Sequence, residues 1–422
     1  MDVTRIGRSN EMVNKMKALK ISRKTAKFAV ARLMSPVSTI GAAKFGPLSL
    51  VNESAPTMPN AEGWHRIQPR LTGICGSDLS LVEGHASTYF DDWVSFPFVP
   101  GHEVVADCDD GRRVVLEPVL GHACRGLPLP FEGAAPGDGD DYAHLVGGHL
   151  EPGIQTGFCT STGGGWATEL IAHDSQLHEV PDSMTDEQAV LVEPAAGGIH
   201  AALATWPAVQ AAIQRGETPI VAVLGAGSMG LCAIAGLRRY VPQVRIIVGA
   251  RYPHQQAFAR SLGADVVVPA AELARAVRRE SGGHIVGDYL SGGCHATIDA
   301  VGSSDSIMDC LKFTRPRGRV VLLGMPAVVS LDLTGLWHRE TALIGAYTYG
   351  TESMPDGTKR HTFDLAIETA ADCQLNRLVS ATYRLDDYQN ALAHAAGAGR
   401  RGAVKIVFDL RASDARNKKE TN

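Results

Sequence analysis

The apolar run Ile220-Val221-Ala222-Val223-Leu224 passes directly into Gly225-Ala226-Gly227-Ser228-Met229-Gly230, and this junction constrains the fold more than any other feature of the chain. Five consecutive apolar residues read as a strand buried on both faces. The glycines that follow allow a tight turn, close approach of backbone to a pyrophosphate, and close packing of a helix on the strand. Ser228 and Met229 then open a helix whose free amides and dipole favour phosphate. Alone, a glycine pattern of this kind is weak. Here it sits in a longer alternation of strands (245–248, 265–268, 296–299 and 319–323) with helices (228–239 and 253–262). Alternation of this kind requires a parallel sheet covered on both faces, a doubly wound α/β unit that binds a dinucleotide.

The second strand of that unit bears on which nicotinamide cofactor binds. An NAD site places an acid about twenty residues past the glycines, on the ribose hydroxyls. This chain has Gly249-Ala250-Arg251-Tyr252 there instead. A planar guanidinium suits a 2′-phosphate, so NADP is the expected cofactor. NAD is the alternative if Arg251 is a solvated helix-start residue.

Before about residue 190 the texture differs. Short β-like runs such as Arg113-Val114-Val115-Leu116 alternate with turns rich in glycine and proline, as in residues 132–139. That is the pattern of an antiparallel barrel with long loops. The expected division is a polar extension over 1–15, a barrel-like catalytic domain over 16–190, and a nucleotide-binding domain over 191–345. Residues 346–422 return to the catalytic domain through a helix (364–371) and a strand (404–408), and end in a polar tail carrying Lys418-Lys419. No internal repeat is visible.

Two segments of the first part carry metal chemistry. Gly73-Ile74-Cys75-Gly76-Ser77-Asp78 and Pro100-Gly101-His102-Glu103 offer a thiolate, an imidazole and carboxylates, and Val192-Glu193-Pro194 adds another acid. Such a set suits a catalytic zinc that keeps one position open. Each residue alone has an ordinary packing role, and the signal lies in their occurring together ahead of a dinucleotide unit.

On these motifs, residues 16 to about 409 resemble the zinc-containing medium-chain alcohol dehydrogenases, especially the sorbitol and threonine dehydrogenase branch. The resemblance implies a GroES-like β-barrel catalytic domain around a central Rossmann domain. It implies Cys75, His102, Glu103 and Glu193 as zinc ligands, with Glu103 binding the metal or sitting just behind it. Gly225, Gly227, Ser228, Met229 and Gly230 would hold the cofactor with Arg251. Lys405 would reach its phosphate. Ser77 would carry the first proton away, and Asp78 would hydrogen-bond His102 to fix its tautomer. A relay histidine found in many relatives is replaced by Ser80. The activity implied is hydride transfer between an alcohol or polyol and its carbonyl. The competing readings are a zinc-free NADPH-dependent reductase of the same superfamily and a non-catalytic NADPH-binding sensor. Cys75, His102, Glu193 and Ser77 speak against both.

The chain departs from the family in one lobe. Many relatives carry a structural zinc on four close cysteines, but residues 120–157 contain only Cys124. A structural zinc is therefore not expected, a substitute site on His122, Cys124, His144 and His149 is disfavoured, and a more mobile lobe is anticipated. Tyr89, Phe90, Trp93 and Phe96 fall where relatives build part of the substrate pocket, or else pack as barrel core. A net charge of -5 and a pI near 6.3 give no case for nucleic acid. No apolar run reaches the length of a membrane span. Eight scattered cysteines and the absence of a signal-like N-terminus lead to an expected cytoplasmic location. A homodimer or homotetramer acting on a small alcohol or carbonyl substrate is the assembly the family implies.

Overall fold

The computed structural model describes residues 15–411. Apart from Lys15, which opens the first strand, the expected N-terminal extension and the Lys418-Lys419 pair lie outside the described residues. The nucleotide unit is built on six parallel strands: β1 (Ile220–Leu224), β2 (Arg245–Gly249), β3 (Val266–Val268), β4 (Cys294–Asp299), β5 (Thr314–Leu322) and β6 (Ala342–Gly345). Their order across the sheet is β3-β2-β1-β4-β5-β6, the doubly wound order of a Rossmann domain. Every residue of β1 and β4 is buried, which is why β1 reads as an unbroken apolar run, whereas β4 also buries His295, Thr297 and Asp299 with hydrogen-bond partners. The strands expected over 245–248, 296–299 and 319–323 and the helices over 228–239 and 253–262 all form, with ends shifted by a few residues.

Both parts of the chain outside this unit share a second, mainly antiparallel sheet of seven strands. The C-terminal strand Lys405–Asp409 lies between Val379–Tyr383 and Trp64–Gly73, with Phe408 opposite Thr72. The chain thus closes back on its first third, as the GroES-like arrangement requires. Trp64–Gly73 continues the sheet to Val104–Cys108, Arg113–Leu116 and Leu177–Glu179, and also pairs with Leu170–His173.

One element pair was not foreseen. Between the paired strands Lys15–Ile21 and Leu48–Ser54 the chain makes two helices, Thr25–Met34 and Thr39–Phe45. Their sequence hides them because Leu33 and Phe45 are exposed, at 79% and 53%, while the buried face is made of small residues such as Ala31, Ala42 and Ala43, so no clean apolar stripe marks it.

The lobe over 120–157 is organised by an arginine. Arg125 is fully buried, and its guanidinium donates to the carbonyls of Leu120 (3.0 Å), Gly147 (2.9 Å) and Gly153 (2.7 Å), with longer contacts to Glu151. One planar five-donor group thereby ties together three stretches of loop backbone. Among the described residues, His122, Cys124, His144 and His149 do not form a metal-holding cluster. His122 stacks on His144 at 4.1 Å, Cys124 donates to the Gly121 carbonyl, and His149 packs against Trp64.

Candidate active site

Cys75 stands at the start of the helix Gly76–Val82, where its backbone N–H donates to Asp78 Oδ2 at 3.0 Å. This local clamp fixes the turn that presents the thiol. His102 and Glu103 come from the loop leading into Val104–Cys108, and the Glu103 carbonyl accepts from the Gly73 N–H at 2.8 Å. Gly73 leaves room for the glutamate itself: a Cβ there would fall 1.7 Å from Glu103 Oε2. Through these contacts the thiol, the imidazole and a Glu103 carboxylate oxygen all lie within 4.8 Å of one another.

Asp78 and His102 come close without bonding. Their Oδ1 and Nδ1 are 3.6 Å apart, beyond a normal hydrogen bond, and both atoms are buried without a hydrogen-bond partner. The expected Asp78–His102 hydrogen bond is thus corrected to a near approach, because the Asp78 carboxylate is turned toward the Cys75 amide. Burial raises the Asp78 pKa, an effect the nearby His102 opposes. Ser77, on the first turn of the same helix, is partly exposed.

Lys405 is placed differently from expectation. It is 3% exposed and points at Glu103, with Nζ 2.6 Å from both carboxylate oxygens and 3.3 Å from the Ile74 carbonyl. A buried ammonium needs a counter-charge, and Glu103 supplies it. Burial acts to lower its pKa, but the charge and hydrogen bond of Glu103 together with the nearby Cys75 and Glu193 raise it on balance. The assignment of Lys405 to a cofactor phosphate is therefore replaced by a role in holding Glu103.

Glu193 begins the helix Val192–Leu203 and accepts from the Tyr349 hydroxyl at 2.8 Å. Burial pushes its pKa up to about 7, while His102 acts in the opposite direction. Its own helix is drawn close to the nucleotide helix Ser228–Tyr240, since a Cβ at Gly198 would strike the backbone of Cys232 and Ala233 at 2.6 Å. Tyr349 was not singled out from the sequence. Its hydroxyl reaches a residue 156 positions away, and the available signal was its place just beyond β6, where such sheets present their ligand-facing loops. Tyr347, in the same loop, contacts Gln155 at 3.4 Å and lies near Glu193 and Cys75.

The glycine turn has the form its sequence implies. Gly225 adopts φ +97°, and a Cβ at Gly230 would meet the Gly225 carbonyl at 2.0 Å, so the helix can pack this tightly only with glycine. Around Gly227 a Cβ would meet nothing within 4 Å, leaving backbone accessible to a pyrophosphate. Ser228 Oγ donates to the Val404 carbonyl at 3.4 Å, and Lys405, the next residue, grips Glu103. The nucleotide turn and the metal-type cluster are therefore linked through two adjacent residues, Val404 and the first residue of the C-terminal strand, Lys405. Arg251 is exposed just past β2, with its guanidinium over the Tyr252 ring at 5.6 Å.

The aromatic segment divides. Phe96 packs inward on Phe98, which is 2% exposed, whereas Tyr89 (66% exposed) and Trp93 form an outer cluster with Tyr142 of the lobe.

Two family models cover most of this architecture. The alcohol dehydrogenase GroES-like domain matches residues 61–182, and the zinc-binding dehydrogenase matches residues 228–369. The chain belongs to the zinc-dependent medium-chain alcohol dehydrogenases. Within that family it is similar to a sorbitol dehydrogenase of Arabidopsis thaliana, 25% identical over 82% of this chain and 88% of the relative. It is also similar to a putative D-xylulose reductase of Agrobacterium fabrum, 27% identical over 76% and 84%. The fold matches the solved L-idonate 5-dehydrogenase of Escherichia coli with a TM-score of 0.64, at 18% identity over 94% of this chain and 98% of that one. Family membership makes the protein an NAD(P)-dependent oxidoreductase of the alcohol dehydrogenase class. Among the described residues, no helix is long and apolar enough to cross a membrane.

The donor set fits the family's zinc. A soft thiolate, a borderline imidazole and a hard carboxylate together match its ligand preferences. The unpartnered Asp78 Oδ1 and His102 Nδ1 beside them are charged or polar atoms that a nearby cation would stabilise.

Proposed function

We propose that the protein is a zinc-dependent, NADP-preferring dehydrogenase of polyols or secondary alcohols, with zinc held by Cys75, His102, Glu103 and Glu193. The observation that carries this reading is the convergence of Cys75, His102 and Glu103 within 4.8 Å, one strand residue away from the contact to the nucleotide turn. Bound there, zinc would act as a Lewis acid on the substrate oxygen, and the nicotinamide would accept or donate hydride. The chain's own residues do the rest. Asp78 holds the Cys75 backbone, Lys405 orients and neutralises Glu103, and Tyr349 positions Glu193. Ser77, partly exposed beside Cys75, takes the substrate hydroxyl proton toward solvent. Tyr347 and the Tyr89–Trp93–Tyr142 cluster form walls of the substrate cleft.

Preference for NADP rests on Arg251 and on the lack of an acid after β2. The Tyr252 ring lies against Gly399, so the next two residues, Arg400 and Arg401, would add positive charge on this side of the nucleotide unit for a 2′-phosphate. A polyol or secondary alcohol follows from the relatives' names. Residues 16–190 with 346–422 would form the catalytic unit and 191–345 the nucleotide unit, supported by the shared seven-stranded sheet. The open edge of β6 is suited to pairing with a second copy in a homodimer or homotetramer, within the cytoplasm. The test is a rate screen of zinc-loaded protein with polyols and secondary alcohols, each with NADP and NAD. Turnover faster with NADP is expected, and reduction of activated double bonds with no alcohol oxidation would overturn the reading.

A further inference from the structure

Away from Cys75, three other potential ligands converge: Glu117, His178 and His361, whose donor atoms all lie within 4.8 Å of one another. They come from separate parts of the chain. Glu117 directly follows Arg113–Leu116, His178 lies in the paired strand Leu177–Glu179, and His361 ends the strand Lys359–His361. Both imidazoles present Nε2 to the same carboxylate oxygen, at 2.8 Å for His178 and 3.1 Å for His361.

Hydrogen bonding accounts for only part of this arrangement. His178 forms a proper bond, but His361 Nε2 is buried with no hydrogen-bond partner despite its distance. The Glu117 side chain is fully buried, and its other oxygen, Oε1, also has no partner. Buried polar atoms are ordinarily satisfied, so two orphans in one cluster, on residues already in contact through the other carboxylate oxygen, require an explanation. A cation among the three side chains would accept a lone pair from each and remove both vacancies at once. Two imidazoles and a carboxylate form a zinc-binding set that leaves one position for water. Ligand atoms around tetrahedral zinc, with bonds of about 2.0 Å, stand roughly 3.3 Å apart. The side chains would therefore need to open by only a few tenths of an ångström.

We propose that Glu117, His178 and His361 form a second divalent-metal site, of zinc-type chemistry, separate from the Cys75–His102 cluster. The site fastens the segment returning from the nucleotide unit onto the barrel. His361 immediately precedes the helix Thr362–Asp372, Phe363 of that helix stacks on His178 at 4.8 Å, and Tyr349 meets the Phe363 edge at 5.2 Å. Since Tyr349 also holds Glu193, the second ion would stiffen one wall of the cleft without touching substrate. The chain's lobe lacks the four cysteines of a structural zinc, and this cluster gives the fold a different place for a structural ion.

The test measures metal per chain in full-length protein equilibrated with zinc and freed of loose ions, for wild type, His361→Gln and Cys75→Ser. A cobalt-substituted sample is read alongside for the thiolate-to-cobalt charge-transfer band, which only a cysteine-ligated site can give. The wild type is expected to hold about two ions and each variant about one. His361→Gln should keep the thiolate band, showing that it is folded and loaded at Cys75, and Cys75→Ser should lose it. An unchanged metal count in His361→Gln would overturn the second site and leave a hydrogen-bonded His–Glu–His cluster. If His361→Gln gives no folded protein, Cys75→Ser decides: one retained ion supports the site, and none overturns it. Absence of the thiolate band in wild type would instead count against the zinc assignment at Cys75.

Discussion

Replacing Arg125 with methionine tests whether a guanidinium has taken over the organisation of the lobe. The side chain is fully buried, burial lowers its pKa, and among the described residues it has no carboxylate partner. Its stabilising work is therefore done on the carbonyls of Leu120, Gly147 and Gly153. Leaving a buried carbonyl unsatisfied costs about 1–3 kcal/mol, so three amount to roughly 3–9 kcal/mol. Relief from burying a charge offsets several kcal/mol of that. Taking the middle of that range, the expected net loss is about 2–4 kcal/mol, or roughly 4–16 °C in Tm for a unit of this size. Thermal melting followed by circular dichroism, with limited proteolysis mapping cleavage to residues 120–157, reads both the loss and its location. A variant that melts within about 2 °C of wild type and resists protease equally would refute the reasoning.

Arg251→Asp should weaken NADPH binding by about tenfold or more, the worth of one lost charge-assisted hydrogen bond, and leave NADH binding unchanged or tighter; fluorescence titration checks this. Lys405→Met strands the buried Glu103 carboxylate, so it should lower Tm or zinc content while NADPH affinity stays within about twofold, whereas a phosphate-binding lysine would show the reverse. Cys124 and Cys232 are buried with thiols pushed up to about 12, so at pH 8 both should resist iodoacetamide. Chelation should instead expose Cys75 to alkylation, as peptide mass spectrometry would show.

The nucleotide unit was legible because strands buried on both faces are written as unbroken apolar runs, and because a glycine turn of that form has few other uses. Cys75, His102 and Glu103 were legible as local motifs, and the structure brings them together. What escaped reading depended on distance along the chain. Tyr349 matters only because the fold sets it against Glu193, and Lys405 only because the last strand lies over Glu103. The sequence offers no signal linking Glu117, His178 and His361, which meet from two strands and the residue just past a third. The helices over 25–34 and 39–45 were missed for another reason: large apolar residues such as Leu33 and Phe45 face outward and mainly small ones such as Ala31, Ala42 and Ala43 are buried, so periodicity carried little burial information. Nothing in the sequence singles out Arg125, since most arginines are solvated, and only its surrounding carbonyls reveal its role.

The most direct test of the central claim compares alcohol oxidation by wild type and Cys75→Ser, followed by nicotinamide absorbance under saturating cofactor. Polarisation of the substrate oxygen by the metal is worth several kcal/mol, so the serine variant should lose at least about a thousandfold in kcat/KM while still binding NADPH. Wild-type rates in a correctly folded Cys75→Ser protein would contradict the account, since the chemistry would then not depend on a metal held by that thiolate.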